Sequence, residues 1–306
     1  MSRISTGKKL PKYYKIYEQI YNTPDTPLYQ ITKNTGISRS TVSRYLREMY
    51  GLSIIRGPML FLKPAQNYHQ YACLLKFSNP MNAYSHFAGF PHVRNRTLCA
   101  GTWNIMLICE RIMDFSHLKG FQKSVLQGVK GATYLPKVSY LNWDSSMNKI
   151  YNMLSLPEAK SVLYEEIKEN SWEYPEWTLF DYFKNDIRKQ AMPVLKEYTI
   201  RFERYQKWMS RLQEVALIQT AFYPRGMDTY IIFDFVFKSD YHRQLADILG
   251  KLPSTSLFFS VGSYFFVRLF LLNKREKDEL FSLLFRLGEL DFFTDFYYTV
   301  VVATSD

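Results

Sequence analysis

The chain has 306 residues, 47% of them hydrophobic, with 23 Phe and 24 Tyr, enough apolar area to build two or more folded domains and too much for a disordered protein. Its formal net charge of +11 points to a polyanionic partner, and the excess is N-terminal: residues 1–66 carry 11 Lys and Arg against 3 Asp and Glu, residues 227–306 carry 8 against 11. Three cysteines (Cys73, Cys99, Cys109) without C-x-x-C spacing and five scattered histidines exclude a disulfide framework and argue against a metal site, so no cofactor is expected.

The opening segment, "MSRISTGKKLPKYYK", has no apolar core and does not read as a secretory signal, so a cytoplasmic location is expected. Tyr13, Ile16, Ile20 and Tyr21 predict a helix over 13–22. A second helix is predicted over 26–35, with Thr26 as N-cap and Pro27 in its first turn, and Gly36 then permits a sharp turn. In "GISRSTVSRYLREMYG" (36–51), Ser38 caps a third helix whose Val42, Leu46 and Met49 form the buried stripe. Arg39, Ser40, Thr41, Ser43, Arg44 and Arg47 are left outward, a set able to approach base edges and clamp phosphates. "LSIIRGPMLFLKP" (52–64) reads as two short extended runs around Gly57-Pro58 with Arg56 at the tip, a wing. An isolated basic helix is more often a solvated face, but the approach helices, turn, cap and wing together favour a winged helix DNA-binding domain over 1–66 that reads the major groove with helix 38–50.

Residues 67–145 read as a ferredoxin-like βαββαβ module. "QYACLLKF" is a strand, "NPMNAYSHFAGF" a helix, and "VRNRTLCA" and "WNIMLICER" a strand pair turning near Gly101; "FSHLKGFQKSVLQGV" reads as a helix and "ATYLPKVSYL" as the closing strand. A winged helix followed by this module, with "PHVRNRTLCAGTWNIMLICE" at its centre, resembles the Lrp/AsnC family of transcriptional regulators. The resemblance implies an effector-binding, oligomerising RAM-type domain and places Gly101, Thr102, Trp103 and Asn104 in its ligand signature. Asn104 stands where the family has an acid, which leaves open whether a free amino acid is bound.

The sequence then repeats. Residues 36–55 align without gaps on 199–218, with Ile37 over Ile200, Leu46 over Met209 and Ile55 over Ile218. A second βαββαβ order follows, in which Gly262 sits where Gly101 sits and Phe265 where Asn104 sits. Its apolar run 256–272 is too short for a bilayer, contains Gly262 and Arg268, and reads as a strand pair. Residues 146–226 are therefore read as a linker helix plus a second, degenerate winged helix domain, and 227–306 as a second RAM-type domain.

The expected fold is α+β: tandem winged helix-turn-helix plus ferredoxin-like modules, with the two ferredoxin-like modules forming a pseudo-dimer. The expected function is a DNA-binding transcriptional regulator and not an enzyme, with double-stranded DNA as partner, a homodimer or higher homo-oligomer, a small-molecule effector as an open possibility, and no membrane. Two alternatives stand beside it. One is a non-specific architectural DNA-binding protein. The other is an enzyme resembling the siroheme decarboxylases, which are also similar to paired Lrp/AsnC units; His86, His92, Arg94 and Arg96 would then meet a polycarboxylate tetrapyrrole. No P-loop, G-x-S-x-G or dinucleotide-binding fingerprint points to other catalysis.

Overall fold

The amphipathic stripes of the N-terminal segment become three helices, α1 (Leu10–Asn22), α2 (Leu28–Thr35) and α3 (Arg39–Gly51). The computed structural model describes residues 8–305, so the first residues of the segment read for a secretory signal lie outside it. Tyr13, Ile16, Ile20, Ile31, Val42, Leu46 and Met49 share one core. Gly36 closes α2 in the left-handed conformation at φ 69°, and the Ser38 hydroxyl accepts the Thr41 N–H, both as the spacing predicts. Thr26 does not cap α2: its hydroxyl donates to the Thr23 carbonyl at 2.7 Å, and Pro27 takes the N-cap position.

No wing forms. Ile55–Leu62 is one strand, β1, and it runs antiparallel to β6 (Ala216–Phe222) from the second half of the chain. Gly57 and Pro58 lie at a register shift inside this ribbon rather than at a hairpin tip. On the β1 side, Leu60 donates to the Lys184 carbonyl and Ile187 to the Pro58 carbonyl. A short hairpin would satisfy fewer backbone groups of so apolar a segment than pairing with its repeat copy does. That copy follows the first in order: α6 (Tyr174–Phe183), α7 (Met192–Glu197) and α8 (Phe202–Val215) precede β6 as α1–α3 precede β1.

After the ribbon strand, β2 (Gln70–Phe77), α4 (Pro80–His86), β3 (Val93–Gly101) and β4 (Ile105–Cys109) appear as the pattern predicts. The next two elements do not. The segment predicted as a helix contains instead β5 (Phe121–Lys130), and the predicted closing strand is irregular apart from a bridge between Tyr134 and Phe258. β5 pairs with β2 along its length, so the free edge of β2 decided the conformation over local propensity. The helix α5 (Trp143–Met153) then packs on the second module, which is complete: β7 (Ile231–Lys238), α9 (His242–Leu249), β8 (Leu257–Val261), β9 (Tyr264–Leu271), α10 (Lys274–Glu289) and β10 (Asp295–Ser305).

The two modules are not merely paired; their sheets merge into one closed barrel in the order β10-β3-β4-β2-β5-β8-β9-β7. One seam is made by the long β10, bonded to β7 and to β3; the other is Lys130 of β5 against Val261 of β8. Closure removes the edges that two separate sheets would expose. Strand alternation then sorts the side chains. Phe233, Phe235, Phe237, Phe265, Val267 and Leu269 point outward into a core shared with α5, α9 and α10. Leu74, Cys99, Trp103, Met106, Val236, Phe259, Val261 and Phe266 fill the interior. The three cysteines are buried and free. No helix among the described residues is long and apolar enough to cross a membrane.

Candidate active site at the barrel mouth

The β1–β6 ribbon and the α6–α7 connection cover one end of the barrel and leave a cavity of about 540 Å³ beneath them. Met59 and Phe61 come from the ribbon, Phe180 from α6, and Phe259, Phe266 and Phe270 from the barrel, so much of the wall is flat and apolar. The remaining wall is cationic. Arg268 and Lys130 line the floor, and Arg56, Arg94 and Lys184 stand nearer the rim with Asp181 and Asp186. Barrel mouths are recurrent ligand sites, and this volume lies within the range such sites have.

Each floor cation is held differently. Asp234 and Arg268 are direct cross-strand partners on β7 and β9, and the guanidinium grips the carboxylate through two bonds of 2.7 and 2.8 Å, with Asp234 0% and Arg268 11% exposed. Burial opposes the Arg268 charge, but the Asp234 carboxylate outweighs it and holds the guanidinium well above its ordinary value. Lys130 has no such partner. It is 7% exposed, its Nζ donates to the Gly131 carbonyl at 3.1 Å, and the ammonium lies 4.9 Å from the centre of the Phe259 ring. Burial alone pushes its pKa down to about 7. The buried Tyr223 hydroxyl, which also lines the cavity, is pushed upward by the same effect. A floor with one neutralised pair and one unneutralised amine is deficient in negative charge, and an anionic ligand would supply it.

The chain shares its fold with a siroheme decarboxylase. A crystal structure of the siroheme decarboxylase NirDL aligns over 96% of this chain and 91% of its own, at 10% sequence identity and a TM-score of 0.53. The same enzyme in co-complex with an iron-uroporphyrin III analogue aligns over 95% and 92%, at 9% identity and a TM-score of 0.42. No protein-family model matches the sequence, and no curated protein sequence does. The first alignment overturns the expectation of a DNA-binding regulator without catalysis: the solved structure that this chain follows from end to end is an enzyme, and neither a family model nor a sequence match supports a regulator.

The residues proposed from the sequence fall into three groups. Arg39, Ser40, Arg44 and Arg47 are exposed on α3, with Thr41 and Ser43 partly covered, and Arg44 lies 5.3 Å from the Tyr45 ring. These side chains therefore form an exposed basic face remote from the cavity lining, and without a wing Arg56 belongs to the cavity rim instead, 3.1 Å from the Met227 sulfur. Of the tetrapyrrole set, only Arg94 reaches the cavity, where it pairs with Glu110 at 2.6 Å and Asp181 at 3.4 Å. His86 and His92 are exposed, and Arg96 stacks on Tyr84 and bonds its carbonyl.

The third group, Gly101 to Asn104, does not line the cavity. A Cβ on Gly101 would come within 2.6–2.8 Å of Thr299 and the Tyr298 carbonyl, so the glycine permits the β3–β10 seam. Trp103 is fully buried in the barrel interior, and Asn104 bonds both the N–H and the carbonyl of Phe77, at 2.9 and 2.8 Å. Asn104→Ala should therefore destabilise the fold by about 1–3 kcal/mol, the cost of leaving those buried backbone groups unpaired, while ligand affinity stays unchanged. Denaturant melts paired with ligand titrations separate the two effects. Phe265, at the equivalent position, stacks on His242 at 4.9 Å in the outer core.

Sequence reasoning missed Lys130, Asp234 and Arg268. A signal existed for the last two: each is the single charge in an apolar strand, "IIFDFVF" and "FFVRLFL". Lys130 carried none, because it falls just after a segment read as a helix and before one read as a strand, and was assigned to neither.

Proposed function

We propose that this chain binds a flat polycarboxylated tetrapyrrole of the siroheme class in the barrel-mouth cavity and removes carboxyl groups from it as CO₂. The observation that carries the reading is the cavity wall: aromatic and methionine side chains opposite a floor that holds Arg268 and the unpaired Lys130. A macrocycle presents flat apolar faces with carboxylates around its edge, and such a wall matches both. Arg268 spends two of its five donors on Asp234, and Lys130 offers an ammonium that, among the described residues, donates to a backbone carbonyl and to no carboxylate. A carboxylate drawn into this floor loses its water, which favours the charge-dispersing loss of CO₂. The iron of siroheme would arrive with the substrate; among the described residues no three His, Cys, Asp or Glu side chains cluster to hold a metal of the protein's own.

Titration of the purified chain with siroheme, followed by its visible absorbance, tests the reading. Saturable binding, weakened several-fold by Arg94→Ala at the rim, and loss of carboxyl mass from the bound tetrapyrrole are the expected results. An unperturbed spectrum, or binding without any decarboxylated product, sinks the assignment.

A further inference from the structure

We propose that Lys130 is the proton donor of the decarboxylation, placing from Nζ the hydrogen that replaces the departing carboxyl group. The proposal rests on the tetrapyrrole reading of the cavity. Its basis is position: Lys130 ends β5 at the seam where the two modules join, lines the same cavity as Arg268 with its ammonium 4.9 Å from the Phe259 ring, and forms no ion pair among the described residues. An acid at this place needs a removable proton and a route to the reacting carbon, and the other polar groups of the wall lack one or the other. Arginine does not release its protons, which removes Arg56, Arg94 and Arg268. Asp181 and Asn185 are exposed at the rim, Lys184 is paired there with Asp181 at 3.4 Å, Asp186 lies on the same connection, and Asp234 is held by Arg268. Burial pushes the Tyr50, Tyr68 and Tyr223 hydroxyls up, away from proton transfer near neutrality. Burial also raises Asp186, but that carboxyl lies on the α6–α7 connection away from the barrel floor, whereas Lys130 is shifted down toward neutrality within the floor itself, and an acid matched to the working pH is the effective one.

The step balances without an oxidant. The bond between the carboxylate carbon and the methylene carbon of a side-chain acetate breaks, and its electron pair stays on the methylene carbon. That carbon takes a proton from the Lys130 ammonium to become a methyl group, CO₂ departs, and the neutral amine recovers a proton from solvent. The charge of Lys130 first attracts the carboxylate, and its proton then completes the product.

Two variants of the full chain separate this role from simple attraction. Lys130→Arg keeps a cation that cannot give up its proton, and Lys130→Met keeps neither. Expected are siroheme affinity within a few-fold of wild type for Lys130→Arg, and turnover reduced about 100-fold or more in both variants, the range for removal of a general acid. Wild-type turnover should fall as pH rises and the ammonium deprotonates, and the variants should lose that limb. Wild-type turnover in Lys130→Met, or its recovery in Lys130→Arg, overturns the proton-donor role while leaving the tetrapyrrole reading intact. A wild-type protein that binds no siroheme overturns both at once.

Discussion

Lys130→Met is expected to make the ligand-free protein more stable, by on the order of 3–4 kcal/mol at neutral pH and below. The Lys130 amine is driven from an ordinary value of 10.5 down to about 7 by burial alone. One pKa unit corresponds to about 1.4 kcal/mol, so the folded state loses several kcal/mol by keeping this ammonium away from water. The sign follows from proton binding. Between about pH 7 and 10.5 the unfolded chain holds a proton on Lys130 that the folded chain does not, so wild-type stability rises with pH across that window. Below it both states are protonated and the penalty is complete; above it neither is, and the penalty vanishes. Methionine fills a similar volume without charge, so the gain should be largest in the acid and neutral range and fade toward pH 10.5. Urea melts of both proteins at several pH values measure it directly. A methionine variant less stable than wild type at pH 7 would show that Lys130 has a compensating partner and would remove the electrostatic basis of the site. A residue that destabilises the fold in this way is the pattern expected where function rather than stability selected it.

Arg268→Met should act in the opposite direction, destabilising the protein by about 3–5 kcal/mol, because it leaves the Asp234 carboxylate buried without its partner. Asp234 is completely inaccessible and both its oxygens are bonded by the same guanidinium. The penalty is that of an orphaned charge, not the worth of the pair. Asp234→Leu combined with Arg268→Met removes both charges and should recover most or all of the loss. The double variant is then the useful reagent: a folded barrel whose floor lacks the Arg268 donors and whose siroheme affinity should drop well below wild type. Chemical denaturation of the two singles and the double gives the coupling energy. Should Arg268→Met unfold within 1 kcal/mol of wild type, the barrel floor is wetter than its packing implies.

The elements that sequence alone determined are those whose signal is local. α1, α2 and α3 follow from the stripe of Tyr13, Ile16 and Ile20, the left-handed Gly36 and the Ser38 cap, because helix hydrogen bonds and caps close within a few residues. The repeat was legible because apolar positions such as Leu46 and Met209 recur in register. Strand pairing is different. Whether Phe121–Lys130 extends or coils depends on the free edge of β2, and whether Ile55–Leu62 folds on itself or joins β6 depends on a segment about 160 residues away. Those choices were made by the tertiary structure, and with them went the site: β5 carries Lys130 to the seam, and the ribbon roofs the cavity. The three arginines of α3 looked more informative than one lysine after Gly128 because exposed charge is visible in composition, whereas the cost of a buried charge exists only once the surrounding barrel has closed.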